Sequence, residues 1–234
     1  MIHIRHLEFG WDPGATLLAI EEFRVERGER VFLRGPSGSG KSTLLGLIGG
    51  VLEARRGSVQ VNGSELTGRS RAWRDRFRAD HIGYIFQMFN LVPYLSVLDN
   101  VLLPAGFSKM RASRAGNGQA AHRAEASRLL AALDMQESLR GARTVVELSQ
   151  GQQQRVAVAR ALFGRPELII ADEPTSSLDA DARGRFLDLL MTECRQAGTT
   201  LLFVSHDLAL STRFDRTVEI KDVSPASPAT RSAA

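Results

Sequence analysis

The stretch LRGPSGSGKSTLLGLIGG, Leu33–Gly50, decides how this chain folds. Within it Gly35-Pro36-Ser37-Gly38-Ser39-Gly40-Lys41-Ser42 satisfies the pattern G-x-x-x-x-G-K-[ST]. An apolar, strand-like RVFL precedes it and a helix-like STLLGLI follows it. Strand, glycine-rich loop and helix in that order make a cradle for the phosphates of a nucleotide. The glycines let backbone amides curl inward around an anion, and the helix N-terminus adds the positive end of its dipole. Lysine is otherwise rare here, present again only as Lys109 and Lys221, so its use at Lys41 is chemical. A compact ammonium reaches β- and γ-phosphates where a planar guanidinium does not fit. Gly35 to Ser42, with Thr43 at the helix start, are the expected phosphate contacts, and the Ser42 hydroxyl is expected on Mg2+.

Working outward, short apolar runs alternate with longer helical patterns, which defines an α/β protein. YIF (84–86), ELIIAD (167–172) and TTLLFVSH (199–206) read as buried parallel strands, each ending in polar residues. Ligands of such sheets bind outside the carboxyl ends of the strands. IHIRHLEF alternates like a half-buried strand. VERGERVFL reads as a hairpin around Arg27-Gly28, and SVQVNGSEL as a second hairpin turning at Asn62-Gly63. These pieces predict an N-terminal antiparallel sheet beside the parallel one. A helical sub-domain is expected over about 91–164, with RASRAGNGQAAHR inside it as a flexible surface loop. The tail 223–234, which includes SPASPATRSAA, has nothing to bury and is expected to be disordered.

The chain has 234 residues, 43% of them hydrophobic, enough for one domain with a sub-domain. No apolar run approaches the roughly 18 residues that a membrane span requires, and MIHIRHLEFG lacks a signal-peptide pattern. A cytosolic location is therefore expected unless a partner tethers the chain. Cys194, the single cysteine, excludes an internal disulfide and a cysteine-based zinc site. The formal charge of +4 is mild. The one arginine-rich run, GRSRAWRDRFRAD (68–80), reads as the solvated face of a helix, so nucleic acid is not an expected partner.

Two further motifs say what kind of nucleotide protein this is. ELIIADEP ends a buried strand in adjacent carboxylates: Asp172 suits a magnesium ligand, and Glu173 suits the base that deprotonates an attacking water. Just ahead lies Leu148-Ser149-Gln150-Gly151-Gln152, a serine N-cap that opens the amphipathic QQQRVAVARAL and offers a second anion site. From Val145 to Asp179 the chain resembles the ATP-binding cassette (ABC) ATPases, whose LSGGQ signature precedes the DE strand and an SSLD loop in the same way. The resemblance runs from Ile2 to about Asp222, and Gln150 stands where the family has glycine.

This resemblance implies a P-loop NTPase core, ATP with Mg2+, and ATP hydrolysis. It implies that two cassettes, alike or paired with another, close head to tail, with Ser149, Gly151 and Gln152 of one contacting the nucleotide held by the other. Gln87 matches the glutamine that senses magnesium and the attacking water, His206 the histidine at the γ-phosphate, and Asp179 the aspartate that crosses the dimer interface. Trp11 lies where the family stacks an aromatic on adenine, with Phe9 as a competitor. A separate membrane-spanning permease is implied, docking near Gln87–Pro104 with Phe89, Leu91, Val92, Pro93, Tyr94 and Leu95 as the apolar cluster, and peripheral attachment to the inner face of the cell membrane follows. The wording of this region resembles the lipoprotein-releasing and macrolide-export subgroup. A non-transport cassette that regulates a membrane complex, such as the cell-division machinery acting on wall hydrolases, is the alternative.

Overall fold

The computed structural model describes residues 1–12, 14–136, 144–176, 178 and 180–225. The chain opens with β1 (Ile2–Phe9) and β2 (Leu18–Val25), crosses to β3 (Arg30–Arg34), and passes through the glycine loop into α1 (Lys41–Ile48). It returns as β4 (Arg56–Val61) and β5 (Ser64–Glu65), followed by α2 (Arg71–His81) and β6 (Ile82–Ile85). Then come α3 (Val97–Phe107), α4 (Lys109–Arg114), α5 (Gly118–Ala132) and α6 (Gln150–Leu162). The last third holds β7 (Leu168–Asp172), α7 (Ala180–Ala197), β8 (Thr200–Val204), β9 (Arg216–Glu219) and α8 (Ile220–Val223).

Two sheets result. One is antiparallel in the order β2-β1-β4-β5; the other has the order β6-β7-β8-β3-β9 with every pair parallel. The parallel strands are apolar on both faces because each face has its own core. Phe32, Ile169, Ala171, Leu201 and Phe203 point into the layer formed with α5, α6 and α7, while Val31, Leu33, Leu168, Ile170, Leu202 and Val204 point toward α1 and the antiparallel sheet. This period of two sends adjacent residues of one strand into different cores. Truncating one such side chain, Phe203→Ala for example, costs about 3–5 kcal/mol.

The Asn62–Gly63 hairpin forms as expected between β4 and β5, with φ of +49° and +76° at its two central residues, as the tight hairpin turn requires. The Arg27-Gly28 hairpin does not form: β2 belongs to the antiparallel sheet, and β3 pairs with β8 and β9 in the other. Val31, Phe32 and Leu33 are all fully buried, and an uninterrupted apolar triplet belongs in a sheet covered on both faces. The expected loop RASRAGNGQAAHR is also helical for most of its length; only Ala115–Asn117 separate α4 from α5. Of the expected tail, Val223 closes α8, and residues 226–234 lie outside those described.

The inserted helices are bolted to the core by Arg111 on α4. Its buried guanidinium donates to the carbonyl oxygens of Ala161 (2.7 Å) and Phe163 (2.8 Å) at the end of α6, and more weakly to Ile82 at the start of β6. Burial lowers its pKa to about 10, so the carbonyls serve as its counter-charge. The arginine-rich run forms α2, capped by Ser70, whose hydroxyl accepts from Trp73 N. Of its arginines, Arg74 turns inward to Glu53 (2.7 Å), and the helix otherwise presents a solvated face.

Candidate active site

Gln87 follows β6, the phosphate loop follows β3, Asp172 and Glu173 close β7, and His206 follows β8. Parallel pairing brings these carboxyl ends side by side, and they wall a cavity of about 660 Å³. Trp11, Gly35, Pro36, Ser37, Gly38, Gly40, Lys41, Ser42, Thr43, Gln87, Asp172, Glu173 and His206 line it, together with Leu17. Residues far apart in sequence are thus gathered where an open parallel sheet binds its ligand.

The loop's geometry needs its glycines. Gly40 adopts φ +91°, and a Cβ there would come within 2.7 Å of Leu18. At Gly35 a Cβ would meet Ile220 at 2.4 Å. Gly40 is also the N-cap of α1 and supplies no side-chain cap, so the first-turn amides are left to a ligand. Lys41 Nζ donates to the carbonyls of Gly35 and Pro36, both at 2.8 Å, which holds the ammonium over the loop mouth. Ser39 is not among the residues that line the cavity, and its hydroxyl is buried without a hydrogen-bond partner.

At the cavity floor the Ser42 hydroxyl bonds to the Asp172 carboxylate. Burial pushes the Asp172 pKa up and the Glu173 charge adds to this, while Ser42 and Lys41 pull it down. A hydroxyl, a carboxylate and the nearby Gln87 amide are hard oxygen donors. One carboxylate, with phosphates completing the shell, is how Mg2+ is usually held beside a nucleotide, so the residues fit that ion. No cluster of three or more His, Cys, Asp or Glu exists among the described residues.

Glu173 is held in the left-handed region at φ +47°. Its amide donates to Val204 O at 2.9 Å, and the next residue's carbonyl, Pro174 O, accepts from the fully buried Gln154 of α6. Such strain persists only where the surroundings enforce it, and it gathers at functional sites. His206 Nδ1 lies 3.0 Å from Glu173 Oε2; the imidazole is 72% exposed and the carboxylate only 15%. The pair therefore forms one wall, with the histidine able to reach outward.

Ser149, Gly151 and Gln152 sit elsewhere, at the start of α6. Ser149 Oγ accepts from Gln152 N (3.3 Å), and Gln152 Oε1 accepts from Ser149 N (3.0 Å), a reciprocal cap. They do not line the cavity of their own chain. Asp179 lies outside the described residues. Trp11 is 66% exposed and packs edge-on against Phe9 with ring centroids 5.2 Å apart, so one face remains open at the cavity rim.

A second cavity, of about 690 Å³, adjoins the first between α2, β6 and α3. Its walls are mostly apolar: Val51, Leu52, Ile82, Phe86, Leu103, Pro104 and Phe107. Val51 and Phe107 are 60% and 68% exposed. This differs from the expected apolar cluster. Phe89 is buried, Leu91 packs on the core, and the loop around Val92 and Leu95 is wound about the buried Asn100, which donates to Val92 O and accepts from Val92 N; Pro93 and Tyr94 alone are exposed. Val51, Leu52 and Phe107 were not expected here: Phe107 ends α3, Val51 and Leu52 follow the turn after α1, and all three look from sequence like core.

A glycine-rich loop at a parallel-strand end, a serine on a carboxylate and an adjacent glutamate define a P-loop nucleotide hydrolase. Residues 19–176 match the ABC transporter family model, and the chain belongs to that family as an ATP-binding, ATP-hydrolysing cassette. It is 40% identical to the uncharacterized ABC transporter ATP-binding protein YbbA of Escherichia coli, with 94% of each chain covered. It is 41% identical to the lipoprotein-releasing system ATP-binding protein LolD 2 of Rhodospirillum rubrum, with 86% of this chain and 83% of that one covered. The ATP-binding cassette MJ0796, solved as a dimer in a post-hydrolysis state with ADP and Pi, superposes with a TM-score of 0.84 at 32% identity over 95% of both chains. No helix among the described residues is long and apolar enough to cross a membrane.

Proposed function

We propose that this cassette powers a separate membrane-spanning permease by closing head to tail on ATP with a second cassette. The work is export, or extraction of lipoproteins and similar apolar cargo from the membrane. The observation that carries the reading is the apolar groove beside the nucleotide cavity. Exposed Val51 and Phe107 on a water-soluble face cost solubility unless a partner covers them, and a short amphipathic helix fits such a groove. The chain would then sit on the cytoplasmic face of the membrane. Similarity to LolD supports lipoprotein cargo.

In this reading Gly35–Thr43 and Lys41 bind the phosphates and Trp11 stacks on the adenine. Ser42, Asp172 and Gln87 would hold Mg2+, whose charge would offset that of the nucleotide phosphates. Glu173 takes a proton from the water that attacks the γ-phosphorus, and the bond to the ADP oxygen breaks. His206, whose exposed imidazole stands beside the Glu173 carboxylate, contacts the γ-phosphate. Ser149, Gly151 and Gln152 of the opposite cassette complete the phosphate shell, and Asp179 bridges the two cassettes.

Phe107→Asp tests the groove. Because Phe107 is mostly exposed, the change should leave the melting temperature and the ATPase rate of the purified chain unchanged while releasing the cassette from membranes that carry its permease. Unaltered membrane retention would sink the docking reading.

A further inference from the structure

Arg160 lies in the last turn of α6, and its guanidinium reaches across to two consecutive backbone carbonyls. Nη2 donates to Phe89 O and Nη1 to Asn90 O, each at 2.6 Å. These carbonyls belong to the turn that follows Gln87. Phe89 and Asn90 both stand in the left-handed region, at φ +59° and +49°, where a side-chain Cβ is disfavoured. Two adjacent strained residues need support from outside the turn. Internally the turn has only Phe89 N donating to Phe86 O (3.1 Å) and Asn90 N to Met88 O (2.6 Å).

The fork is offered from a fixed point. Arg111 donates to the Arg160 and Ala161 carbonyls, locking the end of α6 from which the Arg160 side chain leaves. Arg160 has no carboxylate partner among the described residues, and burial lowers its pKa. Its charge is therefore satisfied by the two loop carbonyls, a planar bidentate geometry that lysine cannot reproduce. The same helix begins at Ser149, about three turns away.

We infer that Arg160 is a positioning residue: its guanidinium pins the Phe89–Asn90 turn to the signature helix and thereby sets where Gln87 stands in the nucleotide cavity. The inference rests on the reading that Gln87 works at the reacting phosphate. A shift of α6, wherever it originates, moves Gln87 with it through this fork.

The test uses the purified full-length chain with Arg160→Met, which keeps the apolar stem and removes the donors, and Arg160→Lys as the milder variant should the first lose its fold. Amide hydrogen exchange at Phe89 and Asn90 should rise by about tenfold or more, with the amides in the middle of α6 staying within roughly threefold. ATP affinity should stay within about threefold while kcat falls by about tenfold. Adding Arg160→Met to Gln87→Ala should lower kcat by less than about twofold further, because a side chain already removed cannot be misplaced. Asn90→Gly should restore part of the lost kcat in the Arg160→Met chain, since glycine enters the left-handed region without cost. Unchanged exchange at residues 89 and 90 would overturn the inference, as would losses for Arg160 and Gln87 that multiply. If Gln87→Ala alone leaves turnover intact, the reading of Gln87 fails while the exchange measurement still judges the clamp.

Discussion

The starts of α1 and α6 are both serine- and glycine-rich helix N-termini, yet they are finished differently. At α1 the N-cap is Gly40, which has no side chain to offer; no acidic residue stands in the first turn, and the amides open on a cavity with Lys41 above it. At α6 the N-cap is Ser149, and Gln152 closes a reciprocal box with it. In the proposed reading the first start is a phosphate site made within one chain. The second satisfies itself, so it has no need of a ligand to be stable and is free to act on one brought by another surface. The same local physics thus yields one helix start left open and one that closes itself, separated by who supplies the cap.

The largest expected break leaves both helix starts intact. Glu173→Gln should reduce ATP turnover by roughly 10²–10⁴, as loss of a general base does, while ATP binding persists. Light scattering should then find an ATP-bound dimer accumulating. Undiminished phosphate release would remove Glu173 from its role.

Next in size is damage to one start at a time. Gly40→Ala must place a Cβ against Leu18 in a left-handed conformation, so it should cost both stability, by about 1–3 kcal/mol, and nucleotide binding by a single chain. Ser149→Arg should leave single-chain binding and melting temperature nearly unchanged but abolish ATP-driven dimer formation. Equal effects on single-chain binding would erase the distinction between the two starts.

A smaller effect sharpens the account of the cap. Gln152→Ala removes one half of the box and should lower stability by about 0.5–1 kcal/mol, read as a shift in the chemical denaturation midpoint.

The smallest concerns Asp172. Its pKa is raised in the fold, chiefly by burial, so its charge opposes folding once the pH exceeds the unfolded carboxyl value of about 3.9. Asp172→Asn should therefore raise the melting temperature slightly at pH 7 without nucleotide, with the gain vanishing toward pH 3, even as Mg2+-dependent hydrolysis is lost. Glu167 is the opposite case. Despite burial, which raises its pKa, hydrogen bonds from His81 and Arg114 hold it near 2, so its stabilisation is present at neutral pH and lost as the pH falls from about 4 toward 2.

The sequence made the α1 region legible because strand, glycines, lysine and helix are consecutive, and it made Glu173 legible through the apolar strand ahead of it. Other features depended on partners distant in the chain. The Arg27-Gly28 turn, with Gly28 at φ +76°, looks like a hairpin tip locally; only the burial of Val31, Phe32 and Leu33 on both faces sends β3 into the other sheet. Gly116, Asn117 and Gly118 do break a helix, but the alanine- and arginine-rich residues on either side stay helical up to the break. Phe89 and Leu91 are apolar enough to dock a partner, yet Arg160 and Asn100 fix the backbone of that loop so that they face inward. Gln154 and Arg160 carried a readable signal, as polar residues on the apolar face of α6, although their targets, Pro174 and the Phe89–Asn90 turn, could not be read from it.

The central claim is that each working site joins the α1 start of one chain to the α6 start of another. Dimers bearing Lys41→Ala on one chain and Ser149→Arg on the other test it most directly when compared with dimers bearing both changes on one chain beside an unaltered partner. Joined across chains, the first dimer keeps one intact site and should trap one ATP in a Glu173→Gln background, while the second keeps none. The reverse outcome, trapping only by the dimer with both changes on one chain, would contradict the account.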